Sequence, residues 1–235
     1  MMNFTLDGRL SSAAKFVRQG ARFADIGTDH AYLPIFLLKT GVISYAVSSD
    51  INEGPLASAR IHAREALVFD KMDFVLTDGA DALSEYNVSD IAICGMGGEL
   101  IADIITRATF FHKDGIRLIL QPMSRIAAVR VALAELGFEI VAEEYSAAQG
   151  KPYVTVCADF CGVKHTLSEI EAEFGEEKFL LPLTEKKRAY FEKKRNALKR
   201  AAEGKAEGGI SDSAEARLYS YINGILSDKT EVSVK

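Results

Sequence analysis

The residues best suited to chemistry sit in one short string, Asp25-Ile26-Gly27-Thr28-Asp29-His30: two carboxylates, an imidazole and a glycine within six positions. An apolar run at 22–26 precedes it and a helical pattern at 31–39 follows, so the string reads as a strand-to-helix turn. Only one of the three glycines of a G-x-G-x-x-G turn is present, which argues against a pyrophosphate packed on the helix start. Acids recur where later strand-like runs end. Asp50, followed by Ile51, ends the run 45–49 and lies 23 residues after Gly27, where a carboxylate can accept both hydroxyls of a ribose. Asp78 and Gly79 follow the run 74–77, with Asp78 placed to accept from an amino-purine. Gly95-Met96-Gly97-Gly98 follows the run 91–94 as backbone that a ligand can approach closely. Gln121 and Pro122 end the run 118–120. Each has a plainer reading: Asp29 as a helix N-cap, Asp50 as an acid leading into a helix near Asn52-Glu53-Gly54-Pro55, Met96 as core filler.

The elements that must hold these residues alternate regularly. Helical patterns at 10–17, 31–39, 56–68, 99–108 and 125–136 separate the five short apolar runs, which predicts an α/β fold with a doubly wound, mostly parallel sheet. Ligands of such sheets bind outside the C-terminal strand ends. There the acids and glycines suit a nucleoside cofactor without phosphates, S-adenosylmethionine: Asp25 for its ammonium, Gly27 for close backbone approach. Runs at 138–145 and 153–160, joined through Gly150-Lys151-Pro152, read as an antiparallel hairpin closing one sheet edge. Beyond His165 the patterns at 168–174, 184–202 and 213–226 are all helical, with a loop expected at 203–209 and a frayed tail at 229–235. The chain is therefore divided into a sheet domain at 1–164 and a helical hairpin, coiled-coil-like, at 165–235.

The formal net charge is −5, yet residues 185–200 alone carry +6. Lys186, Lys187, Arg188, Lys193, Lys194 and Arg195 lie in that stretch, which suits either a polyanionic partner or a solvated helix face. Hydrophobic residues make up 48% of the 235, enough for a sizeable core, and no run is long enough to span a bilayer. A cytoplasmic protein is expected. Cys94, Cys157 and Cys161 form no C-x-x-C pair and read as buried thiols, and the four histidines are scattered, so no metal site is expected.

Asp-Ile-Gly-Thr-Asp-His-Ala-Tyr-Leu-Pro (25–34), Asn-Glu-Gly-Pro-Leu (52–56), Cys-Gly-Met-Gly-Gly (94–98) and Leu-Gln-Pro-Met (120–123) together resemble the bacterial tRNA adenine-N1 methyltransferases that modify adenosine 22. The resemblance continues into Glu173-Phe174-Gly175 and covers nearly the whole chain. It implies a Rossmann-like class I methyltransferase domain followed by a coiled-coil-like one, S-adenosylmethionine as cofactor and tRNA as substrate. Adenine N1 has its own lone pair, so the implied catalysis is positioning of an unpaired or flipped base rather than strong base chemistry. Asp29 is the residue expected to orient the adenine amine or assist proton loss, with His30 and Tyr32 as pocket wall or stacking surface. The basic helix, with Gln121 and Pro122, is expected to hold the tRNA. The residues alone leave open a small-molecule methyltransferase or a non-catalytic protein binding the cofactor or tRNA.

Overall fold

The computed structural model describes residues 5–227; the expected frayed tail lies outside them. The sheet half runs α1 (Gly8–Ala14), β1 (Arg22–Ile26), α2 (Tyr32–Lys39), β2 (Tyr45–Asp50), α3 (Glu53–Glu65), β3 (Met72–Leu76), β4 (Asp90–Gly97), α4 (Gly98–Arg107), β5 (Arg117–Ser124), α5 (Ile126–Leu136), β6 (Phe138–Ala148) and β7 (Lys151–Phe160). Then come α6 (Glu169–Phe174), α7 (Glu177–Leu180), α8 (Glu185–Glu207) and α9 (Ala214–Ser227). The strands form one sheet in the order β3-β2-β1-β4-β5-β7-β6. The first five are parallel, and the β6–β7 hairpin adds through an antiparallel β5–β7 ladder.

The inner strands are apolar because helices cover both faces. In β1, Phe23, Ala24 and Ile26 are buried, on opposite faces by the strand's two-residue alternation. Phe23 joins the cluster under α1, α2 and α3, whereas Ala24 and Ile26 join the one under α4 and α5. Strand order reverses between β1 and β4, and the connections leaving them go to opposite sides, which opens a crevice at their C-terminal ends.

Several boundaries differ from the expected ones. The glycine-rich stretch is not a turn beyond β4. Through Gly97 it is the bulged end of that strand, pairing Met96 with Pro122 and Gly97 with Ser124. Helix α8 continues through Glu207, absorbing most of the expected loop. Gly204 is tolerated there, and Lys205 reaches the Glu215 carboxylate of α9 at 2.6 and 2.7 Å. The short α7 was not legible from pattern. Cys161 is exposed rather than buried, with its thiol donating to the Gly137 carbonyl at 3.3 Å.

The helical segment packs directly on the sheet. Phe174, Phe191, Leu218 and Ile222 belong to the same continuous apolar cluster as Val154, Val156 and Leu133. A buried ion pair sits at this junction: Arg130 of α5 faces Glu143 of β6 at 2.8 Å, with side chains 1% and 0% exposed. Arg130 Nη1 donates to the Ala172 carbonyl of α6 (3.1 Å), and the Tyr145 hydroxyl donates to Glu143 (2.8 Å). Burial is the largest single influence and works against the Arg130 charge, but Glu143, with Tyr145 and Tyr190 behind it, holds the guanidinium pKa above its ordinary value. Breaking one partner strands the other charge. Arg130→Met alone is expected to cost about 3–5 kcal/mol in urea denaturation, and Arg130→Met with Glu143→Leu to recover much of that loss.

Candidate active site

The crevice between the ends of β1 and β4 is a cleft of ≈ 450 Å³. Its floor and walls include Asp25, Gly27, Thr28, Asp29, His30, Tyr32, Gly95 and Met96, so the two most distinctive sequence strings meet there. The turn after β1 is held by two backbone bonds, from Gly27 and Thr28 amides to the Ser49 carbonyl at 2.8 and 2.9 Å. Gly27 has φ +74, and a Cβ on it would lie 1.9 Å from Met96 Cε, so the thioether fills the place of a side chain. Gly95 has φ +84, and a Cβ there would meet only Arg9 Nη1, at 3.8 Å; its backbone faces open cleft.

Asp25 is 8% exposed, and its carboxylate accepts from the Thr28 hydroxyl at 2.6 Å. Burial raises its pKa from 3.8 to about 6; the Thr28 bond opposes the shift and the nearby Asp50 charge adds to it. A carboxylic acid held more tightly protonated in the folded chain removes stability as pH rises from about 4 through 6, unless a cation enters the cleft. Burial also pushes the Cys94 thiol well above its ordinary pKa, so it stays protonated and is no nucleophile.

Asp29 is not the N-cap of α2. That position belongs to Ala31, at φ +54 with no side-chain bond, which leaves the Asp29 carboxylate 80% exposed at the cleft. Its Oδ2 lies 3.4 Å from His30 Nε2. His30 stacks on Tyr32 at 5.1 Å, and both rings meet His62 of α3, at 5.2 and 5.3 Å. His30 Nδ1 is buried without a hydrogen-bond partner. Ala31 in a left-handed conformation is local strain beside these groups, the kind that marks functional sites.

Asp50 ends β2 and Asp78 follows β3 by two residues, both outside the residues lining this cleft. Asp50 accepts from the Asn52 amide at 2.7 Å, as the plainer reading had it, while Asp78 lies 3.3 Å from Arg107 of α4. Ile51 is 62% exposed at the same rim, and Gly79 packs at φ +55 against Ile104. Pro122 lines a separate cleft beside α8, whereas Gln121 is fully buried and donates to the Pro122 carbonyl at 3.0 Å. Gln121 thus departs from the expected substrate contact: its side chain has no open face.

The basic helix splits likewise. Lys186 and Lys193 are exposed, and Arg195 is half-buried with its guanidinium on Asn196. Lys194 is instead desolvated, which lowers its pKa, and pairs with Glu173 at 2.8 Å. Lys187 donates to the Phe179 carbonyl (2.7 Å), and Arg188 to that of Leu226 (3.1 Å). These three carry structural bonds rather than forming an open cationic surface.

Five cleft residues in and before the first helix escaped sequence analysis: Thr5, Leu6, Asp7, Arg9 and Leu10. Asp7 caps α1 and holds the Arg9 guanidinium at 2.8 Å, which swings over the Gly95 end. His62 gave no signal, since its meeting with His30 is purely tertiary. Among the described residues, no cluster of three or more metal-ligating side chains occurs, and no helix is long and apolar enough to cross a membrane.

The cleft fits S-adenosylmethionine on its own chemistry. A buried carboxylate of raised pKa lacks a cation, and a glycine backbone opens toward the same space.

Comparisons agree. A family model described as a methyltransferase domain matches residues 6–156. The tRNA (adenine(22)-N(1))-methyltransferase of Bacillus subtilis is 31% identical over 159 residues, covering 68% of this chain and 67% of that one. A Streptococcus agalactiae protein of the NADB-Rossmann superfamily superposes with TM-score 0.83 at 33% identity, covering 96% of this chain and 99% of its own. A Streptococcus pneumoniae protein, a candidate tRNA (m1A22) methyltransferase in complex with S-adenosyl-L-methionine, does so with TM-score 0.81 at 32% identity, over 93% and 98%. With a family model spanning more than half of it and a curated relative matched over two thirds of both lengths, the chain belongs to the tRNA (adenine(22)-N(1))-methyltransferase family.

Proposed function

We propose that this protein transfers a methyl group from S-adenosylmethionine to N1 of adenosine 22 in tRNA. The observation that carries the proposal is the switch-point cleft, which puts a cation-seeking Asp25, an open Gly95 backbone and the exposed Asp29–His30–Tyr32 group around one space. When bound, the cofactor supplies an electrophilic methyl on a sulfonium. Asp25 would receive its ammonium, with Gly27, Gly95, Met96 and Gly97 forming the wall. Asp50 and Ile51 would hold the ribose, and Asp78 and Gly79 the adenine end.

The chain's own contribution to the transfer is orientation. Asp29 is exposed, anchored near His30, and faces the space a base must enter. Its carboxylate can accept from the adenine amine, whose donor strength grows as the ring gains positive charge. Accepting there would fix the base with N1 forward and stabilise the charge that develops. Tyr32 and His30 offer a stacked aromatic surface for the flipped ring. Lys186, Lys193 and Arg195 would meet tRNA phosphates, and residues 165–235 would serve as the tRNA-holding part beside the methyl-transferring part at 1–164. A protein that methylates tRNA would act in the cytoplasm.

Methylation of an unmodified tRNA transcript, followed by mapping of 1-methyladenosine, tests the proposal directly. Asp29→Ala should lower kcat about 10²-fold while leaving cofactor Kd nearly unchanged; equal turnover would remove Asp29 from the transfer. Because Asp25 is neutral below about pH 6, cofactor binding by calorimetry should tighten about tenfold from pH 5 to pH 7 and then level off. Asp25→Asn should bind weakly and flatten that profile. Lys186→Ala with Arg195→Ala should weaken tRNA binding for all sequences and reduce the slope of log K against log salt by about 2.

A further inference from the structure

A second cleft of ≈ 410 Å³ opens between the C-terminal end of β5 and helix α8, within the range of about 300–1,000 Å³ typical of small-ligand sites. The transfer described above sets Lys193, on its rim, against tRNA phosphate but assigns the cleft itself no occupant. Its apolar side is Pro122, Met123 and Tyr153. Met123 is 45% exposed although it sits at a strand end in the middle of the sheet. Its cationic side is Arg125 and Lys193. Arg125 is 74% exposed, with only a loose 3.8 Å approach to Glu99, and Lys193 is exposed without a partner among the described residues. Lys194, already paired with Glu173, belongs to the wall rather than to the free charge.

Two further features tie this cleft to the reactive one. Arg9 lies between them: it lines the first cleft, its Nη1 is 3.6 Å from Met123 Sδ, and its guanidinium sits 5.6 Å over the Tyr153 ring. Each cleft also carries one non-glycine residue in the left-handed region. Ala31 at φ +54 starts α2 in the first, and Arg125 at φ +54 starts α5 in the second. Strain of this kind persists where surrounding structure enforces it, and at Arg125 it accompanies a side chain 74% exposed.

We propose that the second cleft is a nucleotide subsite: it takes the base next to the methylated adenosine, with Lys193 and Arg125 on the intervening phosphates. The chemistry is that of single-strand nucleic-acid binding, an apolar slot with an aromatic residue in its wall beside exposed cations. A small anionic ligand would need the cations but not the slot, and a peptide would need backbone partners at a sheet edge, which this interior strand end does not provide. Seating the neighbour there would keep the target adenosine out of its stack while the first cleft holds it. The inference rests on the proposed tRNA activity and adds a second point of grip to it.

The test uses the full chain and two forms of one unmodified tRNA transcript, intact and with an abasic residue beside the target adenosine, made separately on each side. With the wild-type protein, one abasic form should raise KM for tRNA about tenfold, the loss of one stacked base. Ala197→Trp fills the cleft from the exposed face of α8. It should raise KM for intact tRNA similarly, leave cofactor Kd unchanged, and show no further loss with the abasic form. Lys193→Glu, a surface change that does not burden the fold, should raise KM and lessen its salt dependence. Wild-type methylation with no effect of the abasic residues, or additive losses in Ala197→Trp, would overturn the subsite and leave the tRNA activity standing. Failure of the wild-type protein to methylate adenosine in either tRNA would overturn both.

Discussion

The Gly27–Met96 contact sets the geometry on which the rest depends. Two parallel strands, β1 and β4, end side by side where the strand order reverses, and their outgoing helices leave on opposite faces. Met96 Cε occupies the space a Cβ at position 27 would need. The turn after β1 can therefore lie close against the end of β4, with the Gly27 and Thr28 amides both on the Ser49 carbonyl. A side chain at 27 would have to displace the Met96 methyl and adopt a left-handed backbone at φ +74, which glycine alone does without strain. The strand-order reversal opens the cleft, and a glycine facing a flexible thioether lets its two walls meet closely at the floor.

Electrostatics within that frame are divided by burial. Asp25, enclosed by the sheet, resists ionisation and therefore seeks a cation; Asp29, four residues on, lies in solvent at the entrance. Two carboxylates of one turn thus acquire separate tasks from their surroundings alone. The same division runs through the basic helix. Its inward lysines bind the carbonyl of Phe179 and the carboxylate of Glu173, holding α8 against the sheet, while Lys186 and Lys193 keep their charge in water. The buried Arg130–Glu143 pair joins α5, β6 and α6, so the helical segment is fixed to the side of the sheet on which the second cleft opens.

Much of this was legible in the residues. The alternation of short apolar runs with helical patterns yields a doubly wound sheet because both faces of a parallel sheet must be covered, and the two runs at 138–145 and 153–160 yield the antiparallel hairpin because only turn chemistry separates them. Asp25, Gly27, Asp29, Gly95 and Met96 could be nominated because ligand-binding residues of such sheets follow the strands, and strand ends are local features. The extension of β4 through Gly97 was not legible, since a bulged strand end rich in glycine has the composition of a turn and is stabilised only by pairing with β5.

What the sequence determined by itself was therefore the set of elements, their order and the turn that carries the chemistry, all encoded over a few consecutive residues. Only the tertiary structure decided which groups share a space. It brought Arg9 from the first helix to Gly95 and Met123, and His62 to His30, across separations that no local pattern records. It buried Gln121 and Lys194 while leaving Lys193 exposed, because exposure on a helix or strand depends on what packs against it. Charge and residue type are written in the chain; burial, which determines whether a charge acts as a strut or as a hand, is a property of the packed whole.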